Sequence, residues 1–577
     1  MGFALDEYSL LAVHDGHCAS AALMVDGRIV KATQEERFVN TKNEPGMPVN
    51  AIEYCVSDVD SLDEVVLATK FIHKADWYRE QDFWENKTEI KYVMNRIAWR
   101  YQRRFDPYFT NNIESRKKIL IKILKRFWLN FPADKVKVLD HHTSHAASAF
   151  YGSHYAPGHK VKVFTADGSG DGLSATYSIG GEDGVLKREK SWTRDQSIGE
   201  IYSLTTYHLG FTPWEHEYKL MGMAPYSRVD PEILAELFDI ITVEDDGFKA
   251  RISAKFALDR LKQIYYRKRF DRICATIQAW FELVITGWIR SNVEGKAPGP
   301  IACAGGDFMN VKANGEIAQI PSVTDMFVFP SAGDESTSIG ACMKVYADYC
   351  YLRGMHPKRE ITPMGPLYLG PHAEILDTEE LLKKAKAKHG WEYWYEDNVN
   401  NHVVDLLEEG KIVARCSGRL EFGARALGNR TILADASNME IKVPLNAQVK
   451  HRDFWMPFAP SVLYEERKRL MVNEKDIISP YMVMAYKSTE DGRRELAAGM
   501  HPWDFTIRPQ NVERAWNPDY WDILNKWFRK TGNGGLLNTS FNLHGKPIVK
   551  DNETALWTME QTGLKNLVIG NWVVRKN

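Results

Sequence analysis

A chain of 577 residues, 44% hydrophobic and 26% charged, has the composition of a globular protein with more than one core. Its net charge of −2 advertises no polyanionic partner, so nucleic acid is not an expected ligand. No apolar run reaches membrane-spanning length and the start lacks a secretory pattern. Seven scattered cysteines without a CxxC pair fit a reduced, cytoplasmic compartment better than a disulfide framework.

The stretch "YSLLAVHDGHCASAALMVDGRIVKATQEERF" reads as three strands joined by a polar turn and a "DG" turn. The same grammar returns at "VKVFTADGSGDGLSATYSIGGEDGVLKREKSW", where a strand enters a Gly/Asp/Ser loop and a hairpin follows. Two strand–glycine-loop–hairpin units are the duplicated signature of the actin-like ATPase architecture; two unrelated hairpins are the plain alternative. Between them lies "WRYQRRFDPYFTNNIESRKKILIKILKRFW", and later "DRLKQIYYRKRFDR". These basic, aromatic stretches read as solvated helix faces before they read as a grip on anions. Four prolines and three glycines in "CMKVYADYCYLRGMHPKREITPMGPLYLGPHAEI" mark a boundary, giving domains 1–365 and 366–577. In the second, residues 397–410 read as helix, "GKIVARCSGRLEFGARALGNRTILADAS" as strand, loop and strand, and "LLNTSFNLHGKPIV" as strand and polar turn.

Chemistry concentrates first in "VKVLDHHTSHAASAF". His141 and His145 stand one helical turn apart, close enough to share a metal ion, whereas His142 points off that face. HxxxH alone is equally the mark of an incidental imidazole pair. Asp334, in "FVFPSAGDESTSIGA", offers a third ligand ahead of a helix opened by Ser336 to Ser338, or else an ordinary helix cap. Two loops read as phosphate cradles. Asp167, Gly168, Ser169 and Gly170 form one, and Gly305 and Gly306 in "CAGGDFMNVKANGEI" form the other.

Taken together, these blocks resemble the O-carbamoyltransferases of natural-product biosynthesis, which carbamoylate nodulation factors, cephems, aminoglycosides, ansamycins and saxitoxin-type toxins. "GHCASAALMVDGRIVKATQEERF", "DHHTSHAASAF", "EYKLMGMAPY", "GRLEFGARALGNRTILAD", "VKHRDFWMPFAPSV" and "LNTSFNLHGKPIV" carry the resemblance, in order, from about residue 10 to the end. It implies an α/β protein. The N-terminal domain is expected to be actin-like, similar to the tRNA-modifying threonylcarbamoyl transferases, and the C-terminal domain YrdC-like. The second domain would make carbamoyl adenylate from carbamoyl phosphate and ATP, with Mg2+ accompanying the ATP. The first would transfer the carbamoyl group to a hydroxyl of a small natural-product acceptor.

The resemblance also implies roles. His141, His145 and Asp334 would hold a divalent metal, Fe2+ ahead of Mn2+ or Zn2+. The two glycine loops, with Asn310 and Glu217, would hold nucleotide, and Lys219 would sit near its phosphates. His17, preferred over His14 from the register of the following "ASAAL", would take the proton of the acceptor hydroxyl. Arg425, Arg430, Lys450 and Arg508 would clamp carbamoyl phosphate, with Asn538, Thr539, Ser540 and Asn542 as neutral donors. A homodimer is expected from relatives. Three departures stand out: Cys18 replaces the family aspartate, with Asp15 as a substitute; Ala424 replaces a proline; and Met456 replaces an arginine for which Arg452 or His451 would compensate. A tRNA-modifying enzyme and a non-catalytic nucleotide switch are the competing readings, and the acceptor is not legible.

Overall fold

The computed structural model describes residues 8–72, 112–374, 376–450 and 452–576. Residues 99–111 of the first basic stretch, and His451, lie outside the described residues. The chain divides into two compact units. One comprises Met1–Glu35 and Asn43–Met364, the other Glu36–Lys42 and Gly365–Asn577.

The first unit carries one motif twice. Strands β1 (Ser9–His14), β2 (Ser20–Val25), β3 (Arg28–Gln34), β4 (Glu64–Leu67) and β5 (Lys137–Val138) form a sheet of order β3-β2-β1-β4-β5. Strands β6 (Val161–Gly170), β7 (Leu173–Gly180), β8 (Leu186–Thr193), β11 (Gly299–Ala304) and β12 (Val323–Val328) repeat that order as β12-β11-β6-β7-β8. A separate hairpin supplies β9 (Ile241–Glu244) and β10 (Gly247–Ala250). In each large sheet the first strand pairs antiparallel with the second and parallel with the strand on its other side. The duplicated topology expected of an actin-like unit is therefore present. The "DG" pairs make it locally: Asp26–Gly27 and Asp171–Gly172 both adopt positive φ, as two-residue hairpin loops of type I′ demand.

Helices α1 (Ile113–Leu124), α2 (His141–Gly152), α3 (Ile198–His208), α4 (Glu217–Met223), α5 (Val311–Ala318) and α6 (Ser336–Leu352) complete the part of this unit that bears on function. Helix α2 starts at an Asp140 cap whose carboxylate accepts from the Thr143 amide at 2.9 Å. It packs directly on α6 through Gly340, where a methyl group would lie 1.8 Å from the Ser144 carbonyl oxygen. At its other end the buried Lys358 ammonium donates to the carbonyls of Phe150 and Ser153 at 2.7 Å and of Tyr151 at 3.2 Å. A cation is thereby placed on the negative end of the helix dipole, although burial alone draws Lys358 down to about 7. Lys358→Met should strand these carbonyls and lower stability by about 2–4 kcal/mol, measured as a fall in denaturant midpoint at unchanged slope.

The second unit holds β13 (Glu392–Tyr395), β14 (Val413–Cys416), β15 (Arg430–Asp435), β16 (Ala459–Leu463), a small sheet of β17 (Met471–Val472), β18 (Tyr486–Ser488) and β19 (Thr506–Ile507), then β20 (Gln510–Val512), β21 (Gly535–Ser540), β22 (Asn566–Ile569) and β23 (Trp572–Arg575). The large sheet runs β13-β23-β22-β14-β15-β21-β16-β20. Helices α7 (Val399–Glu408) and α8 (Pro518–Thr531) cover it through Val403, Leu407, Leu524 and Trp527, which meet Leu433, Leu463 and Leu536. Helix α8 shows why this sequence starts and stops where it does. Asn517 caps the Tyr520 amide at 3.0 Å, proline opens the first turn, and Gly532 closes the helix at φ 80°. Arg37, from the short N-terminal segment of this unit, donates to the Gly423 carbonyl at 2.6 Å.

Candidate active site

The two histidines of α2 face Asp167, in the bulge of β6, and Asp334, just before α6. The Asp167 Oδ2 atom lies 3.2 Å from His141 Nε2 and 3.3 Å from His145 Nε2. Asp334 Oδ1 lies 3.5 and 3.9 Å from the same two nitrogens. All four ligand atoms fall within 4.8 Å of one another. Asp334 does not cap its helix; its carboxylate turns to the imidazoles instead. Asp167, expected only in a phosphate loop, is a fourth member of this cluster.

The set fits a divalent cation. His145 Nε2 is buried and makes no hydrogen bond although acidic oxygens surround it. Its other nitrogen lies 3.3 Å from the Ser336 hydroxyl, which aims Nε2 at the cluster. Burial would lower the His141 pKa, but Asp334 and Asp167 outweigh it and hold the ring at about 9. Burial raises Asp167, and contact with His141 and His145 more than reverses that, leaving it well below the usual carboxylate range. A cation held between them would replace the His141 proton. Two imidazoles with two carboxylates suit Fe2+, Mn2+ or Zn2+ better than Mg2+. His142 belongs to the layer behind: its Nδ1 meets the Thr165 hydroxyl at 2.8 Å, and burial, followed by His141 and His145, lowers it to about 3.

Sequence reasoning passed over His14, which ends β1 and is buried at the rim of the cluster. Its Nε2 is 3.9 Å from Asp334 Oδ2, and its Nδ1 meets the Thr337 hydroxyl at 2.9 Å. Burial lowers it to about 4 against the pull of Asp334. His17, the expected base, is half-buried with its ring 5.6 Å from that of Trp214, and its carbonyl oxygen is 2.9 Å from His14 Nε2. Asp15 does not stand in for the aspartate missing at Cys18. Arg116 of α1 occupies both of its oxygens, and both residues are 1% exposed. Position gave the missing signal for His14: it is the C-terminal residue of a strand with a parallel partner, the end at which α/β sheets place ligands.

The nucleotide candidates surround the bulge of β6. Gly305 needs its φ of 105°, and a methyl there would lie 2.2 Å from the Ala166 carbonyl oxygen. Glu217 accepts from the Trp214 amide at 2.7 Å and the Ser203 hydroxyl at 2.9 Å, and burial raises its pKa. Lys219 lies over the Phe211 ring at 4.9 Å. Asn310 corrects the expectation that it faces nucleotide. Its side chain caps α5 at the Ala313 amide and pairs with Gln278.

In the second unit three arginines come together. Burial, then the like charges of Arg425 and Arg452, push Arg508 well below the ordinary arginine range. Arg452 also lies over the Phe458 ring and donates to the Thr539 hydroxyl at 3.3 Å, while Met456 is buried. Lys450 is buried with its ammonium on the Ser540 carbonyl and on Asn542 Oδ1, the latter at 2.7 Å. Ser540 donates to Asn542 at 2.6 Å. Two residues depart from the expected clamp. Arg430 spends its guanidinium on the carbonyls of Ser417, Gly418, Pro371 and Lys550, so it ties loops together. Asn538 is taken up by Ala426, Ser461 and Gln510 inside the sheet.

Comparison with known proteins agrees across both units. Residues 10–343 match the carbamoyltransferase N-terminus family and residues 404–576 the carbamoyltransferase C-terminus family. The uncharacterized protein sll1178 of Synechocystis is 30% identical, over 97% of this chain and 95% of its own. Nodulation protein NolO of Bradyrhizobium diazoefficiens is 32% identical over 76% and 79% of the two chains. Nodulation protein NolNO of Sinorhizobium fredii is 28% identical over 98% and 79%. Among the described residues no helix is long and apolar enough to cross a membrane.

Proposed function

The chain belongs to the carbamoyltransferase family and is a carbamoyltransferase, and from that premise we propose that it is an ATP-dependent O-carbamoyltransferase acting on a small hydroxylated acceptor. In this reading the second unit is a YrdC-like adenylating domain. Carbamoyl phosphate and water give carbamate and phosphate; carbamate then attacks the α-phosphorus of ATP and expels pyrophosphate, leaving carbamoyl adenylate. The acceptor hydroxyl oxygen attacks the carbamoyl carbon, AMP departs, and the hydroxyl proton passes to a base. Adenylation is what makes this feasible, because carbamate by itself has no competent leaving group, and the mixed anhydride must be kept from water.

The cluster of His141, His145, Asp167 and Asp334 carries the reading for the first unit. These residues would hold the divalent metal, which when bound supplies Lewis acidity toward the phosphate oxygen of the leaving AMP. Ser336 and Thr337 orient His145 and His14 through hydroxyl contacts, so the imidazoles are fixed before any ligand arrives. His17 is the proposed base, beside Trp214, and Glu217 is the proposed ribose contact. In the second unit Arg425, Arg452 and Arg508 supply the positive charge that an anionic substrate would relieve. Lys450, Thr539, Ser540 and Asn542 line the same region as neutral or satisfied polar groups, and Arg430 and Asn538 hold its loops.

Incubating metal-loaded protein with ATP and carbamoyl phosphate should release pyrophosphate and phosphate in equal amounts. Arg508→Ala should reduce both by at least about a hundredfold, as removal of a principal charge clamp does. Folded, metal-loaded protein that releases no pyrophosphate would sink the proposal.

A further inference from the structure

Asp307 is a buried carboxyl that the fold leaves without a partner. It sits in the single turn Gly306–Met309 between β11 and α5 and is 8% exposed. Its Oδ1 faces the start of α3, where a methyl on Gly199 would lie 2.3 Å from it and 3.2 Å from the Gly168 Cα. Among the described residues no hydrogen bond or cation acts on that carboxyl. The charged groups acting on it are both acidic, Asp167 on β6 and Glu217 on α4, and after burial itself they push its pKa well up. Glu200 on α3 is already paired with Arg194 at 3.5 Å, and Lys312 on α5 exerts no pull. A polar group in that position is costly to the empty protein unless a ligand satisfies it.

We propose that Asp307 is a nucleotide-binding residue that, as a neutral carboxylic acid, donates a hydrogen bond to a phosphate oxygen beside the Gly168 bulge. The inference rests on the reading that the first unit binds nucleotide, and it adds a contact that reading does not contain. The physics is that of a carboxyl kept protonated by an apolar, acidic environment so that it can donate. An ionised Asp307 would repel a phosphate, whereas a neutral one donates to it. Such a contact also carries a signature that a structural residue lacks. The side chain should destabilise the empty protein while strengthening the nucleotide complex.

The test uses full-length, metal-loaded protein and photolabelling by 8-azido-ATP, with peptides between residues 161 and 328 mapped and labelling competed by ADP, so that affinity is read at this site alone. Asp307→Asn keeps a neutral donor and should hold ADP affinity within about threefold. Asp307→Ala should lose about tenfold, the equivalent of one hydrogen bond of about 1.4 kcal/mol, while its nucleotide-free melting temperature is unchanged or higher. The inference is overturned if Asn loses as much as Ala and the wild type requires Mg2+ for labelling, which would make Asp307 a cation ligand. It is also overturned if neither variant changes affinity. Failure of the wild type to label between residues 161 and 328 under any condition would instead remove the nucleotide reading beneath it.

Discussion

His145→Ala should strip the protein of its divalent metal and of transferase activity together, whereas His142→Asn, at the neighbouring position, should keep both. The contrast follows from what the ring nitrogens of each histidine meet. Nε2 of His145 is buried among Asp167 and Asp334 with its other nitrogen fixed by Ser336, so alanine removes a ligand and opens the cluster. His142 turns Nδ1 to Thr165, a bond that an asparagine amide can imitate. Losing an outer partner of a metal site typically costs about tenfold to a hundredfold in affinity, and losing a ligand should exceed that. Titration of apo-protein with Fe2+, Mn2+ and Zn2+, alongside metal content after dialysis, reads the difference. One metal per chain retained tightly by His145→Ala would remove these four residues as the metal site.

The second large effect should come from Arg116, far outside the cluster in chain position. Arg116→Met should lower stability by about 3–5 kcal/mol, because it leaves the Asp15 carboxylate buried without a countercharge. The same guanidinium donates to the carbonyls of Thr69 and Lys70 at 2.9 and 2.8 Å. The loop it holds gives its Phe71 amide to Asp171 at 2.8 Å, and Asp171 in turn accepts from the His141 amide at 2.7 Å. One side chain thus fixes the turn after His14 and, through Asp171, the first residue of α2. Arg116→Met with Asp15→Leu should recover most of the loss, since an apolar pair of similar volume replaces a buried ion pair at little net cost. Chemical denaturation of the two variants decides it; equal stabilities would mean that the pair is not the source.

How much of this could be read from residues alone depended on how local the signal was. The duplicated motif was legible because its turns are chemically specific: few sequences other than Asp-Gly fill two successive positive-φ positions. His141 and His145 were legible because helical spacing sets their geometry. Asp167 was assigned only to phosphate, because nothing local reveals that a bulge in β6 turns its Oδ2 onto the helix. Arg116 looked like one more basic residue on a solvated face. Its spacing to Leu120, Ile123 and Leu124 places it on the buried stripe of α1, a pattern visible in the sequence but outweighed by the surrounding charge. Arg430 and Asn538 failed differently. Long-range partners on other loops and strands had already taken their donors, and a linear sequence does not record that competition.

The seven residues Glu36–Lys42 give the two units an order of manufacture. This stretch leaves the ribosome before most of the first unit and more than three hundred residues before Gly365, yet it folds with the second unit, where Arg37 meets Gly423 and Lys546 meets Asn40. The second unit therefore cannot be finished until its earliest piece has waited for its last strand, and closing so long a loop carries an entropic cost that grows only slowly with length. A fragment begun at Gly365 would contain every strand of the large sheet and still lack part of its own fold. Dissection of the enzyme into separately expressed halves should succeed only when that short segment is supplied back.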